Sequence, residues 1–155
     1  MEIRFLKEHP RSIIQIAQWY YTEWKDIYES SGMSFEDVKT SVAERTNTDI
    51  VPLAIVALDD RRIVGTGCLK TYDMDTRIEL TPWLAGIYVE RTQRRKGIGS
   101  TIVSSLEGIA KNLGIQRLYL YTPQSAIFYT RLGWAEHEIT TYKGQHVTIM
   151  ERMLL

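Results

Sequence analysis

The amino-acid sequence predicts an α/β fold: one domain over residues 1–155, with a mixed β-sheet flanked by helices. Three observations point there. An apolar stripe at helical spacing fills residues 10–29, β-rich apolar runs dominate from residue 51 onward, and a glycine-punctuated helix over 97–112 divides the earlier strands from the later ones.

Taken in order, Glu2 to Lys7 alternates well enough for a first strand. Ile13, Ile16, Ala17, Tyr20, Trp24, Ile27 and Tyr28 then recur on one helical face to about Glu29, where Ser30-Ser31-Gly32 breaks the pattern. Ser34 is placed as an N-cap, with Glu36 and Asp37 in the first turn of a second helix that runs to about Thr46. Val51 to Leu58 and Arg62 to Tyr72 read as the arms of a hairpin turned at Asp59-Asp60. Asp73 to Arg77 is a polar loop, and Thr81 to Val89 is the next strand, begun near Pro82, where a missing N–H is tolerable.

Gly97 to Asn112 gives the clearest helix, with Ile98, Ile102, Leu106, Ile109 and Leu113 on its buried face and Gly114 closing it. Leu118 to Tyr121 follows as a short strand, and Ser125 to Leu132 as a short helix ended by Gly133. Trp134 to Thr141 and His146 to Met153 flank Tyr142-Lys143-Gly144-Gln145 as a closing hairpin. The predicted order is β-α-α-β-β-β-α-β-α-β-β, without repeat, low-complexity tract or linker.

Bulk composition narrows the function classes. A chain of 155 residues buries roughly two-thirds of its unfolded surface and needs no staples. Its 44% hydrophobic and 25% charged residues are ordinary for a globular protein. Lys plus Arg balances Asp plus Glu at 19 each, so nothing global favours nucleic acid or a membrane surface, and an anion site must be made locally. The lone Cys68 excludes a disulfide framework. Met1 to Lys7 has no long apolar run after its charges, so no signal peptide is expected; no run approaches ~18 apolar residues, and the expectation is a cytoplasmic protein.

The chemistry concentrates where the strand ending at Val89 runs through Glu90-Arg91-Thr92-Gln93 into Arg94-Arg95-Lys96-Gly97-Ile98-Gly99-Ser100-Thr101. The first N–H groups of a helix lack intrahelical partners, and the helix dipole adds partial positive charge there. Gly97 and Gly99 let a phosphate approach the backbone, while Arg94, Arg95 and Lys96 add cations and Ser100 adds a hydroxyl. That combination suits a diphosphate. The plainer reading is two turn glycines beside a solvated basic face. A Walker loop fits worse because Lys96 precedes its glycine, and a dinucleotide fingerprint fits worse because Ile102 stands at its third glycine position.

Arg94-x-x-Gly97-x-Gly99 between strand and helix resembles the acyl-CoA motif of the GCN5-related N-acetyltransferases. Ala126-Ile127-Phe128-Tyr129-Thr130-Arg131-Leu132-Gly133-Trp134 resembles that family's FY-x-x-x-G-aromatic signature, and the likeness runs over about residues 50–153. The resemblance implies acetyl-CoA as cosubstrate, a primary amine as acceptor and no metal. It implies that the backbone of Ile87, Tyr88 and Val89 pairs with the pantetheine arm, and that amides of Arg95 to Ser100, Ile98 included, hold the pyrophosphate. It also implies that the strand at 83–89 splays from that at 118–121, with the thioester in the gap.

Tyr129 matches the tyrosine that protonates the leaving thiolate. Chemically, a phenol near ~10 stays protonated at pH 7 while a thiolate near ~8.5 departs. The other reading of Tyr129 is a core aromatic beside Phe128 and Leu132. No acid stands at Trp83, where some members carry a general base. Glu79 is the substitute candidate, acting through water, against a plain loop carboxylate. Thr122 stands where an asparagine often precedes the signature tyrosine. Trp24 and Trp83 are placed as walls of an acceptor pocket, against a core role for both. His9, His137 and His146 have no metal-ligand spacing, and no residue stands out as a nucleophile. Direct attack in a ternary complex, by a monomer or homodimer, is the mechanism expected. A non-catalytic acyl-CoA sensor and an unrelated nucleotide-binding domain are the alternatives, and the acceptor is not legible.

Overall fold

The computed structural model describes residues 1–155. Its elements are β1 (Glu2–Phe5), α1 (Ser12–Glu23), α2 (Lys25–Ser30), α3 (Phe35–Ala43), β2 (Leu53–Asp59), β3 (Arg62–Lys70), β4 (Trp83–Val89), α4 (Ile98–Asn112), β5 (Arg117–Thr122), α5 (Ala126–Arg131), β6 (Ala135–Tyr142) and β7 (Gln145–Met153). The seven strands form one sheet in the order β1-β2-β3-β4-β5-β7-β6, antiparallel throughout except for β4 and β5. This is the mixed, helix-flanked sheet the sequence predicts. No helix is long and apolar enough to cross a membrane.

Two boundaries differ for identifiable reasons. The single predicted first helix is two, because Trp24 leaves helical geometry at φ −117°, ψ 32°. Its ring packs 5.2 Å from that of Tyr20, so the apolar stripe continues across the break and hides it from the sequence. The hairpin turn sits at Asp60-Arg61, one residue later than expected, because Asp59 still pairs with Arg62. Both turn residues take positive φ, as a two-residue hairpin matching the strand twist requires. Ser34 does cap α3: its Oγ accepts from the Asp37 amide at 3.1 Å, and Asp37 Oδ2 accepts from the Ser34 amide at 2.9 Å.

The sheet is covered on both faces, and β2 shows why. Leu53, Ile55 and Ala57 join the cluster made with α4, whereas Ala54, Val56 and Leu58 join the cluster made with α1 and α3. Strand periodicity sends alternate residues to opposite faces, so a strand buried on both must be apolar without interruption. Ile98, Ile102, Val103, Leu106 and Ala110 form the buried stripe of α4. Truncating Leu106 to alanine there would cost about 2–5 kcal/mol. A third cluster, with Met74, Leu80, Trp83, Tyr119 and Tyr142, closes the loop between β3 and β4 against β5 and β7.

Candidate active site

The site begins where two parallel strands part. β4 and β5 share a single register pair, Trp83 with Tyr119, supported by the Tyr119 amide donating to Pro82 O at 3.1 Å. From Leu84 and Leu120 onward they are unpaired, and a V-shaped opening interrupts the sheet. Trp83 fills the vertex. Its side chain is wholly enclosed, its Nε1–H donates to Leu80 O at 2.7 Å, and its ring packs on Tyr119 and Tyr121. That corrects the expectation of Trp83 as a pocket wall, since an enclosed ring offers an acceptor no surface. Trp24 is half-buried at the α1–α2 break.

A bulge bends β4 away from β5. Cys68 pairs with Ala85 and Thr66 with Tyr88, so Gly86 and Ile87 together oppose Gly67. Gly86 takes φ +62°, and a Cβ there would lie 2.5 Å from the Tyr20 hydroxyl. That hydroxyl donates to Gly86 O at 2.6 Å, and the Cys68 thiol donates to Ala85 O at 3.3 Å. Burial pushes the Tyr20 phenol and the Cys68 thiol above their ordinary values, so both keep their protons as donors. In the sequence, Tyr20 is one more residue of the apolar stripe. The available signal was its hydroxyl, because a tyrosine at a fully buried helical position must find an acceptor.

Beyond the bulge the backbone directions are set by alternation. The Glu90 amide donates to Val64 O at 2.8 Å, which turns the Tyr88 backbone toward β3 as well and the Val89 backbone toward the opening. Val89 O accepts from Arg94 Nε at 2.8 Å, and its amide remains on the open side. Of the three residues expected along a ligand, Tyr88 therefore has its polar backbone committed elsewhere. Its ring instead stacks on Trp19 at 5.1 Å and carries the Arg94 guanidinium at 5.2 Å.

The basic turn follows. Arg95 and Gly97 both take positive φ, +66° and +82°, folding the chain back before α4 starts at Ile98. Gly97 occupies the N-cap and has no side chain to cap, so the amides of Ile98, Gly99 and Ser100 have no protein acceptor, and no acidic residue stands in the first turn. Nothing lies within 4 Å of where a Gly97 Cβ would point. Lys96 Nζ donates to Gln93 Oε1 at 3.2 Å, and none of Arg94, Arg95 and Lys96 pairs with a carboxylate. Free amides, the helix dipole and cations without carboxylate partners thus lie together at the start of α4.

Tyr129 lies across from it on α5. Phe128 reaches the start of α4, its Cζ 3.5 Å from the Gly99 Cβ direction. Tyr129 packs edge-on to Phe128 and Trp134, in the cluster that holds Leu84 and Leu120 just past the vertex. Its hydroxyl has no hydrogen-bond partner in the protein, yet it is not among the sealed polar atoms. Burial pushes its phenol up to about 12. Thr122 has a structural task, its Oγ1 accepting the Ser125 amide at 2.9 Å ahead of α5. Gly133 sits at φ +98° with the Arg152 guanidinium where a Cβ would be, and Trp134 Nε1 donates to Glu107 Oε1 at 3.0 Å, tying the signature segment to α4. Glu79 is exposed in the loop between β3 and β4, a loop pinned to β6 by Arg77 and Glu138.

The model of the acetyltransferase (GNAT) family matches residues 13–134. Comparison with curated protein sequences gave no match. Among solved structures, an aminoglycoside 6'-N-acetyltransferase complexed with coenzyme A superposes with TM-score 0.78 at 17% identity, over 100% of this chain and 98% of that one. The aminoglycoside 6'-N-acetyltransferase from Enterococcus faecium gives 0.76 at 18%, with the same coverage. The yncA protein from Salmonella typhimurium with its cofactor acetyl-CoA gives 0.72 at 16%, over 99% and 94% of the two chains. At such identities the likeness is one of fold. The family match covers most of the chain, and with it the opened sheet and the basic turn: this chain belongs to the GNAT family of acetyltransferases.

Proposed function

We propose that residues 1–155 form one N-acetyltransferase domain that moves an acetyl group from acetyl-CoA to a primary amine by direct attack in a ternary complex. The observation that carries this reading is the parting of β4 and β5 beside the uncapped N-terminus of α4. The pyrophosphate rests on the amides of Gly97 to Ser100, with Arg95 and Lys96 as neutralising cations. Arg94 contributes from its place between Val89 O and the Tyr88 ring. Pantetheine runs along the open edge at Ile87 and Val89, and the thioester enters the V.

The amine nitrogen attacks the thioester carbonyl, a C–N bond forms, the C–S bond breaks, and the amine's surplus proton leaves to water or to Glu79. Holding the two reactants together supplies most of the acceleration. The Tyr129 hydroxyl, unpartnered and open, donates to the sulfur. At about 12 it is protonated at any working pH. It is also a weaker acid than an ordinary thiol near ~8.5, so its main contribution is a hydrogen bond to the developing thiolate.

Acetyl-CoA is expected to raise the melting temperature by mass action, with ATP and NAD doing far less, and CoA release across a panel of amines is expected to identify acceptors. Equal shifts with all three nucleotides would remove the CoA site. The second reading, an acyl-CoA sensor, draws on Trp83, a buried tryptophan where an acid would serve as base. A CoA-dependent shift without CoA release on any amine would favour it.

A further inference from the structure

The turn that leads into α4 is braced from outside itself, by α1. Its backbone is strained at Arg95, which takes φ +66°. A left-handed arginine persists only where the surrounding structure over-determines it. Hydrogen bonds within the turn do little toward this: the Gln93 amide donates to Glu90 O at 2.8 Å, and the Arg94 amide reaches Arg91 O only at 3.5 Å. Arg94, the residue just before the strain, is instead held by its side chain. Its Nε donates to Val89 O at 2.8 Å, and its guanidinium carbon lies over the Tyr88 ring, 5.2 Å from the centroid. Tyr88 is placed in turn by Trp19 of α1, whose ring stacks on it at 5.1 Å with the planes 26° apart. Four residues further along α1, Glu23 meets Arg91 of the same turn at 3.5 Å.

Residues four apart share a helix face, so one side of α1 meets the turn at two points. The two are unequal. The Arg91 side chain is 74% exposed, and ion pairs in solvent contribute little. A stacked aromatic pair and a cation over a ring contribute more. Trp19 also differs from its neighbours on α1: Ile16, Ala17 and Tyr20 are buried in the core, whereas Trp19 is half-buried and spends its ring on a residue of β4. We infer that Trp19 is a positioning residue for the acyl donor. By stacking on Tyr88 it fixes the Arg94 guanidinium over the end of β4, and through Arg94 it presets the turn whose amides take the diphosphate. Trp19 acts through Arg94 rather than on the ligand. A turn held in its binding shape loses less freedom when the ligand arrives, so the column contributes to donor affinity. This inference rests on the reading of the turn as an acetyl-CoA site.

The test is calorimetric binding of acetyl-CoA to the parent protein, to Trp19→Leu, Trp19→Phe and Arg94→Met, and to the Trp19→Leu/Arg94→Met double variant. Trp19→Leu keeps apolar bulk without the ring and should bind roughly fivefold more weakly. Trp19→Phe can still stack and should stay within about twofold of the parent. In the Arg94→Met background the Trp19→Leu change should cost less than about twofold, because the route through the guanidinium is already gone. Should the leucine protein not fold, Trp19→Met takes its place in the cycle. Unchanged affinity in Trp19→Leu, equal losses in the leucine and phenylalanine proteins, or a Trp19→Leu loss undiminished in the Arg94→Met background would overturn the inference. S-acetylpantetheine, which lacks the diphosphate, gives a separate reading by thiol release on the best amine of the panel. Its kcat/KM should fall far less in Trp19→Leu than that of acetyl-CoA, and equal falls would also overturn the inference. Failure of the parent protein to bind acetyl-CoA would overturn the acetyl-CoA reading and this inference with it, whereas parent binding that ignores Trp19 removes this inference alone.

Discussion

The Tyr20 hydroxyl and the Gly86 carbonyl, 66 residues apart in sequence, are joined by a 2.6 Å hydrogen bond. It links the core of α1 to the bulge in β4, just past the point where β4 and β5 part. The Arg45 guanidinium lies over the same ring, 5.8 Å from its centroid.

Tyr20→Phe keeps the ring packing and leaves Gly86 O without its partner. Losing one partner of a buried hydrogen bond costs about 1–3 kcal/mol. The variant is expected to melt several degrees lower and to bind acetyl-CoA more weakly, because the open edge of β4 depends on the bulge. Thermal melts and calorimetric Kd measure the two effects. An unchanged Kd in a destabilised protein would confine Tyr20 to folding.

Gly97 allows charge to be separated from backbone strain. Its φ of +82° penalises any side chain, although Asn and Asp tolerate that region better than most, and the Cβ direction is open. Gly97→Asn and Gly97→Asp should therefore fold alike, with similar melting temperatures. The aspartate alone opposes a pyrophosphate, and acetyl-CoA affinity should fall at least tenfold further in it than in the asparagine protein. Equal affinities by calorimetry would place the phosphates elsewhere.

Much of this was legible in the sequence. The two-faced burial of β2 follows from an uninterrupted apolar run, and the turn at Arg94–Gly99 from glycines and cations between a strand and a helix. What stayed hidden involves partners distant in sequence. Trp83 is consistent with a wall or a vertex until its pairing with Tyr119 is known, and Tyr20 with any core tyrosine until Gly86 is placed opposite it. Arg45 gave no signal, because its burial against the Tyr20 ring is a fact of three dimensions.

The loop carrying Glu79 is tied to β6 by a two-point ion pair, Arg77 Nε to Glu138 Oε1 at 3.0 Å and Nη2 to Oε2 at 2.7 Å. The hydrogen bonds from Arg77 hold the Glu138 carboxyl below its ordinary value. A depressed carboxylate contributes stability that is present above its unfolded value, near ~4.3, and lost as pH falls through the folded one. Glu138→Gln should accordingly melt below the parent at pH 7, and the gap should close toward pH 3. A gap independent of pH would mean that the pair acts by shape rather than by charge.

Tyr129→Phe tests the donor assigned to sulfur. The Tyr129 hydroxyl makes no hydrogen bond in the protein, so removing it breaks none, and the edge-on contacts with Phe128 and Trp134 survive with the ring. Stability and acetyl-CoA affinity should therefore move little. Turnover should fall by roughly a hundredfold, the contribution of one positioned hydrogen-bond donor, because the phenol matters most as charge develops on sulfur. Its pH dependence gives a second reading. With burial placing the phenol at about 12, the parent protein should show no loss of kcat from this group between pH 6 and 10. The variant should be slower by the same factor across that range. Parent-level turnover in Tyr129→Phe, where chemistry limits the rate, would mean that the developing thiolate takes no hydrogen bond from this phenol. A joint fall in melting temperature and affinity would make Tyr129 a packing residue of the α5 cluster.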